Sequence, residues 1–181
     1  MKKFELTNEF ITNMFGTKLF RIRALVEFGD VEAGELGGYV EKESNLGHDD
    51  NAWVYDNAWV YGNARVYGDA QVSGDALVYG NARVYGNALV YDNAWVYGNA
   101  RVCGDARVCG NGDYAYAHGF GSVNRTTTFF RLKDGGVGVR CGCFYGTLAQ
   151  FRDKIRETHG ETKKAQEYLM LADLMKLRFE K

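Results

Sequence analysis

The chain has 181 residues with 22 basic and 23 acidic side chains, and a net charge of -1 when histidine is neutral. That length suits one domain with appendages, and the balance gives no bulk field toward nucleic acid or membrane surfaces. Cys103, Cys109, Cys141 and Cys143 have neither zinc-ligand spacing nor a secreted-scaffold pattern, so they read as reduced thiols of a cytoplasm. No apolar run approaches a membrane span, and Met1-Lys2-Lys3-Phe4-Glu5 lacks the apolar core of a signal peptide.

In chain order, the first element is a mostly alternating strand over Leu19–Val26. Gly34-Glu35-Leu36-Gly37-Gly38-Tyr39-Val40 then leads into a repeat. Residues 51–110 are ten consecutive six-residue units without insertion. Ala holds the second position from Ala52 to Ala106, and Val the fourth from Val54 to Val108. The first position is Asn or Asp, and the sixth is Gly except at Asp56 and Asp92. A strict period over a third of the chain predicts a solenoid, each unit touching only its neighbours. Val and Ala lie four apart and face one side in extended backbone, while the Gly-Asn pair between them suits a corner with positive φ. A disordered low-complexity tract is the alternative, and invariant Val and Ala among Tyr, Trp and Leu speak against it.

These units, Val-Tyr-Gly-Asn-Ala-x when read from the valine, resemble the hexapeptide-repeat family. The resemblance implies an all-β fold, a left-handed parallel β-helix with three hexads per coil. Adding the degenerate units Asn45–Asp50 and Asn111–Tyr116 gives twelve hexads in about four coils, roughly 19 Å tall at about 4.8 Å per coil. Since a solenoid exposes raw edges, the expected organisation is an N-terminal β cap over 1–40, the β-helix over 41–116, a linker and β-hairpin over 117–146, and C-terminal helices over 147–181. In the third segment, Thr126–Leu132 and Val137–Phe144 flank the hairpin signal Asp134-Gly135. In the last, Thr147 caps a helix ended by Gly160, and a second helix over about Thr162–Phe179 offers Ala165, Tyr168, Leu169, Ala172 and Met175 as its apolar stripe.

Eighteen residues per coil stack every third unit. One face then carries Trp53, Gln71, Leu89 and Arg107, beside Tyr55, Ser73, Tyr91 and Cys109. A second carries Trp59, Leu77 and Trp95, with Tyr61, Tyr79 and Tyr97 alongside. A continuous apolar patch of this kind needs cover. Members of the family commonly form trimers, which implies a homotrimer with this face at the interface; the chain's own C-terminal segment is the other cover. The third face aligns Arg65, Arg83 and Arg101, with Tyr67, Tyr85 and Cys103. Neighbouring guanidinium groups about 4.8 Å apart repel by roughly 0.9 kcal/mol in water and roughly 3.5 at an effective dielectric of 20. Such a column flanked by tyrosines suits an anion, because Arg pairs bidentately with phosphate and stacks on rings. The structural alternatives are a solvated face and a ladder onto acidic residues of a neighbour. Val54–Val66 and Val90–Val102 are identical at an offset of 36, so the column is also explained by duplication of whole coils.

The flanks, with Arg-Thr-Thr-Thr-Phe-Phe at 125–130 and Cys-Gly-Cys-Phe at 141–144, resemble those of repeat proteins from bacteria and phages. That resemblance implies sequestration of an anionic host molecule, such as a nucleotide signal of antiviral defence, by Arg65, Arg83, Arg101, Tyr67 and Tyr85. The best-known hexapeptide-repeat proteins are acyltransferases with a histidine base, which here would be His118 in its glycine-containing segment; His48 reads as a capping residue and His159 ends a helix. No loop interrupts the ten hexads, so the usual active-site wall of those enzymes is missing. A purely structural or protein-binding module is the third reading. No catalytic residue outside the acyltransferase reading, no metal site and no cofactor is expected, and Cys141-Gly-Cys143 reads as buried thiols on one strand face.

Overall fold

A computed structural model of the chain describes residues 2–121 and 124–180. Met1 and Lys181, at the outer ends of the first and last expected segments, lie outside the described residues, as do Ser122 and Val123. The molecule is a β-solenoid of about four turns, followed by a separate antiparallel sheet and two helices.

Ten two-residue strands, β4 to β13, end on the ten repeat valines, from Trp53–Val54 (β4) in steps of six to Arg107–Val108 (β13). Each of the first seven pairs in parallel with the strand three units on, so Trp59 lies beside Leu77 and Leu77 beside Trp95. Backbone amides carry the pairing: Trp59 N donates to Ala76 O at 2.9 Å and Tyr61 N to Val78 O at 3.0 Å. Every repeat valine and alanine is completely buried, so the interior consists of these two kinds of side chain. The corners explain the sixth position. Gly68 has φ +72°, and a β-carbon there would stand 2.8 Å from the Gly86 amide nitrogen. Asp56 and Asp92 adopt the same left-handed backbone at φ 52° and 55°, and the Asp56 carboxylate accepts from Gly74 N at 3.0 Å. The first hexad position forms a second ladder, in which Asn63 donates to Asn81 and Asn81 to Asn99, both at 3.3 Å.

Ahead of the repeats, β1 (Phe4–Thr12), β2 (Lys18–Ala24) and β3 (Leu36–Val40) extend the Trp59 sheet, with β3 parallel to β5 (Trp59–Val60). Here the period changes. Val40 pairs with Val60, twenty residues on, and Leu46 bridges Val66, also twenty on. Leu46, not His48, therefore takes the valine position of that unit, and Gly47 N donates to Val66 O at 2.8 Å. Two extra residues lie between Leu46 and Ala52, and His48 belongs to this insertion. Its Nδ1 accepts from Lys3 N at 3.2 Å, and its ring stacks on Phe4 at 4.3 Å. The buried Asn45 side chain closes the approach to it, donating to Ala64 O at 2.8 Å and accepting from Lys42 N at 2.9 Å.

The insertion is held by Lys3, which is 3 % exposed and whose ammonium donates to Asp50 O at 2.6 Å and Ala52 O at 2.8 Å. Burial pulls that ammonium down to about 8, with Asp50 opposing the shift. Below pH 8 both folded and unfolded chains hold the proton, and the full penalty of burying the charge is present. Between about 8 and the ordinary 10.5 only the unfolded chain holds it, so stability from this group rises with pH. The wild type is expected to gain stability relative to Lys3→Met across that window in urea titrations at successive pH values. Thiols and phenols common to both proteins cancel in the difference, and a flat difference would rule Lys3 out as the source.

At the other end the unit Asn111–Tyr116 is not a twelfth hexad. Tyr114 opens β14 (Tyr114–Phe120), which runs antiparallel to β15 (Arg125–Arg131). With β16 (Val137–Cys141) and β17 (Phe144–Thr147) these form a four-stranded sheet in which the expected hairpin is the middle pair. Ala117, expected to open a linker, lies inside β14, and Gly142, with φ +59°, breaks the expected Val137–Phe144 strand. Cys143 consequently sits exposed in a turn, and only Cys141 remains in a strand. The four cysteines are free thiols. α1 (Leu148–His159) starts at Thr147, whose hydroxyl accepts from Gln150 N, and α2 (Lys163–Phe179) starts at Thr162. Their core is Phe129, Val139, Phe151, Ile155, Tyr168 and Met175. Leu171 and Phe179 join the expected stripe of α2, Leu169 is only half-buried, and Met170, Leu174 and Leu177 face outward. Among the described residues no helix is long and apolar enough to cross a membrane.

Candidate functional site

Because β6 (Arg65–Val66), β9 (Arg83–Val84) and β12 (Arg101–Val102) pair in register, Arg65, Arg83 and Arg101 stand one above another. Adjacent rungs of a sheet are about 4.8 Å apart, so the three guanidinium groups share one narrow strip. Among the described residues none of the three has a carboxylate oxygen within 4.0 Å, whereas Arg21, Arg23, Arg152 and Arg156 each do. Arg65 and Arg83 are exposed and Arg101 is half-buried.

Of the five expected anion-binding residues, four line two clefts at opposite ends of the column. Arg65 and Tyr67 line the lower end with Glu43, Asp49 and Asp50, where acidic groups offset the arginine. Arg83 and Arg101 line a different cleft, of about 520 Å³, between the solenoid and the C-terminal sheet. The Tyr67 and Tyr85 rings stack face to face at 4.9 Å and 1°, each covering one face of the other. Burial, with Cys103 beside it, pushes the Tyr85 phenol well above its ordinary value, so it stays neutral. Burial likewise raises the Cys103 thiol.

The upper cleft contains residues that local sequence patterns could not assign to it. Arg125, Thr126 and Gly142 come from the C-terminal sheet, and His118 comes from β14. His118 Nδ1 lies 2.9 Å from Thr126 Oγ1. No local spacing links His118, Arg125 and Thr126 to Arg83 and Arg101; the fold-back of β15 does.

The aromatic face is equally regular. Tyr61 stacks on Tyr79 at 5.1 Å and Tyr79 on Tyr97 at 5.4 Å, and Tyr97 meets Tyr114 and Tyr116 edge-on. Trp59 and Leu77 are half-buried, but Trp95 is 47 % exposed at the mouth of a cleft it shares with Arg178. The C-terminal segment meets the column at this end and leaves Trp95 part-exposed. On the remaining face Trp53 is completely buried under Phe4 and Phe28.

The architecture is matched by a family model described as YdcK beta solenoid repeat. Residues 58–98 carry that repeat, in three stretches at 58–74, 70–84 and 82–98. The match lies within the solenoid and takes in Arg65 and Arg83 but neither flank. No curated protein matches the chain.

Proposed function

We propose that the chain is a non-enzymatic binding protein that captures a small anionic ligand, of nucleotide type, on its arginine face. In this reading the solenoid is a left-handed hexapeptide-repeat helix with three hexads per coil, capped by residues 1–40. Three copies assemble through the Trp59, Leu77 and Trp95 column, and the protein works in the cytoplasm of a phage-infected bacterium by sequestering a defence signal. The observation that carries the reading is the register of Arg65, Arg83 and Arg101 without a carboxylate within 4.0 Å among the described residues. Three like charges held in line repel one another, and a bound polyanion relieves that repulsion. The half-exposed Trp95 at the end of an apolar column supports the assembly.

Calorimetry with ATP as the probe at low salt tests this reading. Replacing Arg65, Arg83 and Arg101 together by Gln is expected to weaken binding by at least about a hundredfold, since each charged hydrogen bond contributes roughly 1.5–3 kcal/mol. An affinity equal to that of the wild type would remove the strip as the site. Light scattering on the same samples reads the subunit number, and a monomer would remove the trimer.

A further inference from the structure

The two ends of the arginine column differ in what surrounds them. At the lower end Glu43, Asp49 and Asp50 share the cleft with Arg65; Glu43 pairs with Lys2 at 2.6 Å and Asp50 lies 4.0 Å from Lys3, which leaves Asp49 to oppose an incoming anion. At the upper end no Asp or Glu lines the cleft among the described residues. There the C-terminal sheet is fixed on the solenoid by the Arg101 amide, which donates to the buried Thr128 Oγ1 at 2.9 Å. Three residues before Thr128 on the same strand, Arg125 enters the cleft from the opposite wall. Its guanidinium lies across Gly142, where a β-carbon would collide with Nη1. Arg125 has no carboxylate partner within 4.0 Å among the described residues either. His118, held by Thr126, and the amides of Asn81 and Asn99 complete the rim.

On the anion-binding reading above, we infer that the ligand's anionic group is a diphosphate, gripped between Arg83 and Arg101 of the solenoid and Arg125 of the sheet. The charge balance selects it. Three fixed guanidinium charges are matched by a terminal diphosphate, which carries roughly three negative charges near neutral pH, whereas a single phosphoryl group supplies at most about two. Each guanidinium fork can take two phosphate oxygens, and rungs about 4.8 Å apart can address adjacent phosphoryl groups. At about 520 Å³ the cleft is of a size that holds a small ligand. Convergence from two walls favours a compact headgroup. An extended nucleic-acid strand along the column would instead engage Arg65 as well.

Calorimetry with inorganic pyrophosphate and ADP, on the full chain near neutral pH, separates these outcomes. The wild type is expected to bind both, Arg125→Gln to weaken each by at least about tenfold, and Arg65→Gln to change each by less than about twofold. Circular dichroism identical to wild type confirms that Arg125→Gln is folded. Loss of binding in the triple arginine variant with Arg125→Gln unaffected would leave the strip as an anion site and overturn the two-walled grip. Equal losses from Arg65→Gln and Arg125→Gln, or tighter binding of a single-stranded oligonucleotide than of ADP, would overturn it in favour of an extended polyanion. Failure of the wild type to bind pyrophosphate or ADP would overturn the diphosphate assignment.

Discussion

Trp53→Ala is expected to lower the unfolding free energy by about 3–5 kcal/mol, the range for emptying a large aromatic site in a close-packed interior. Trp53 is 0 % exposed and joins two parts of the molecule. Its backbone belongs to the first strict hexad, while its ring is met edge-on by Phe4 at 6.2 Å and Phe28 at 5.3 Å, both from the N-terminal segment. Removing it leaves a void that neither the repeat nor the flank can fill alone. With a urea dependence of about 1–3 kcal/mol per molar, the midpoint followed by circular dichroism should fall by more than about 1 M. Trp53→Phe should cost far less, because the indole Nε1 is buried without an acceptor and its loss removes an unsatisfied donor. A midpoint for Trp53→Ala within about 0.3 M of wild type would refute this account of the junction.

Gly38→Ala comes second in expected effect, and here the cause is proximity. Gly38 lies in β3 with an ordinary φ, and an added β-carbon would meet Ala58 O at 2.6 Å, Val54 Cγ1 at 2.8 Å and Tyr55 O at 2.9 Å. Ala58 O already accepts from Tyr39 N at 2.9 Å, so it cannot retreat without breaking the pairing that attaches the N-terminal sheet. A loss of about 1–3 kcal/mol or more is expected, with a red shift of tryptophan emission as the cover over Trp53 loosens. Gly110→Ala is the matched control: nothing lies within 4 Å of its β-carbon position and its φ is not positive, so the change should stay within about 0.5 kcal/mol. If the two substitutions unfold at the same urea concentration, close approach at β3 is not what fixes Gly38.

What could be read from the chain beforehand was whatever recurs at fixed spacing. The burial of every repeat valine and alanine, and the pairing of Trp59 with Leu77 and of Arg65 with Arg83, follow from the period, because each unit sees the same neighbours. The flanks obey no period. Leu46 and His48 could not be told apart by counting back from Asn51, since two inserted residues change the first interval from eighteen to twenty. Lys3 gave no local hint that it would be buried against Asp50 and Ala52, because those partners lie more than forty residues away. The arginine column was legible, but its division into an acid-lined lower end and an uncompensated upper end was not. Arg125 reaches the upper end because β15 folds back on the solenoid, where the Arg101 amide binds Thr128 across 27 positions and Lys133 N donates to Asp105 O.

The two ladders of the solenoid, backbone and asparagine alike, all point along its axis. Drawing the two chain ends apart would therefore take up one layer at a time from an end, breaking that layer's bonds in turn. The N-terminal sheet, joined to the first coil through β3, and the C-terminal sheet, joined through the Arg101 amide, would be the first parts to bear such a load.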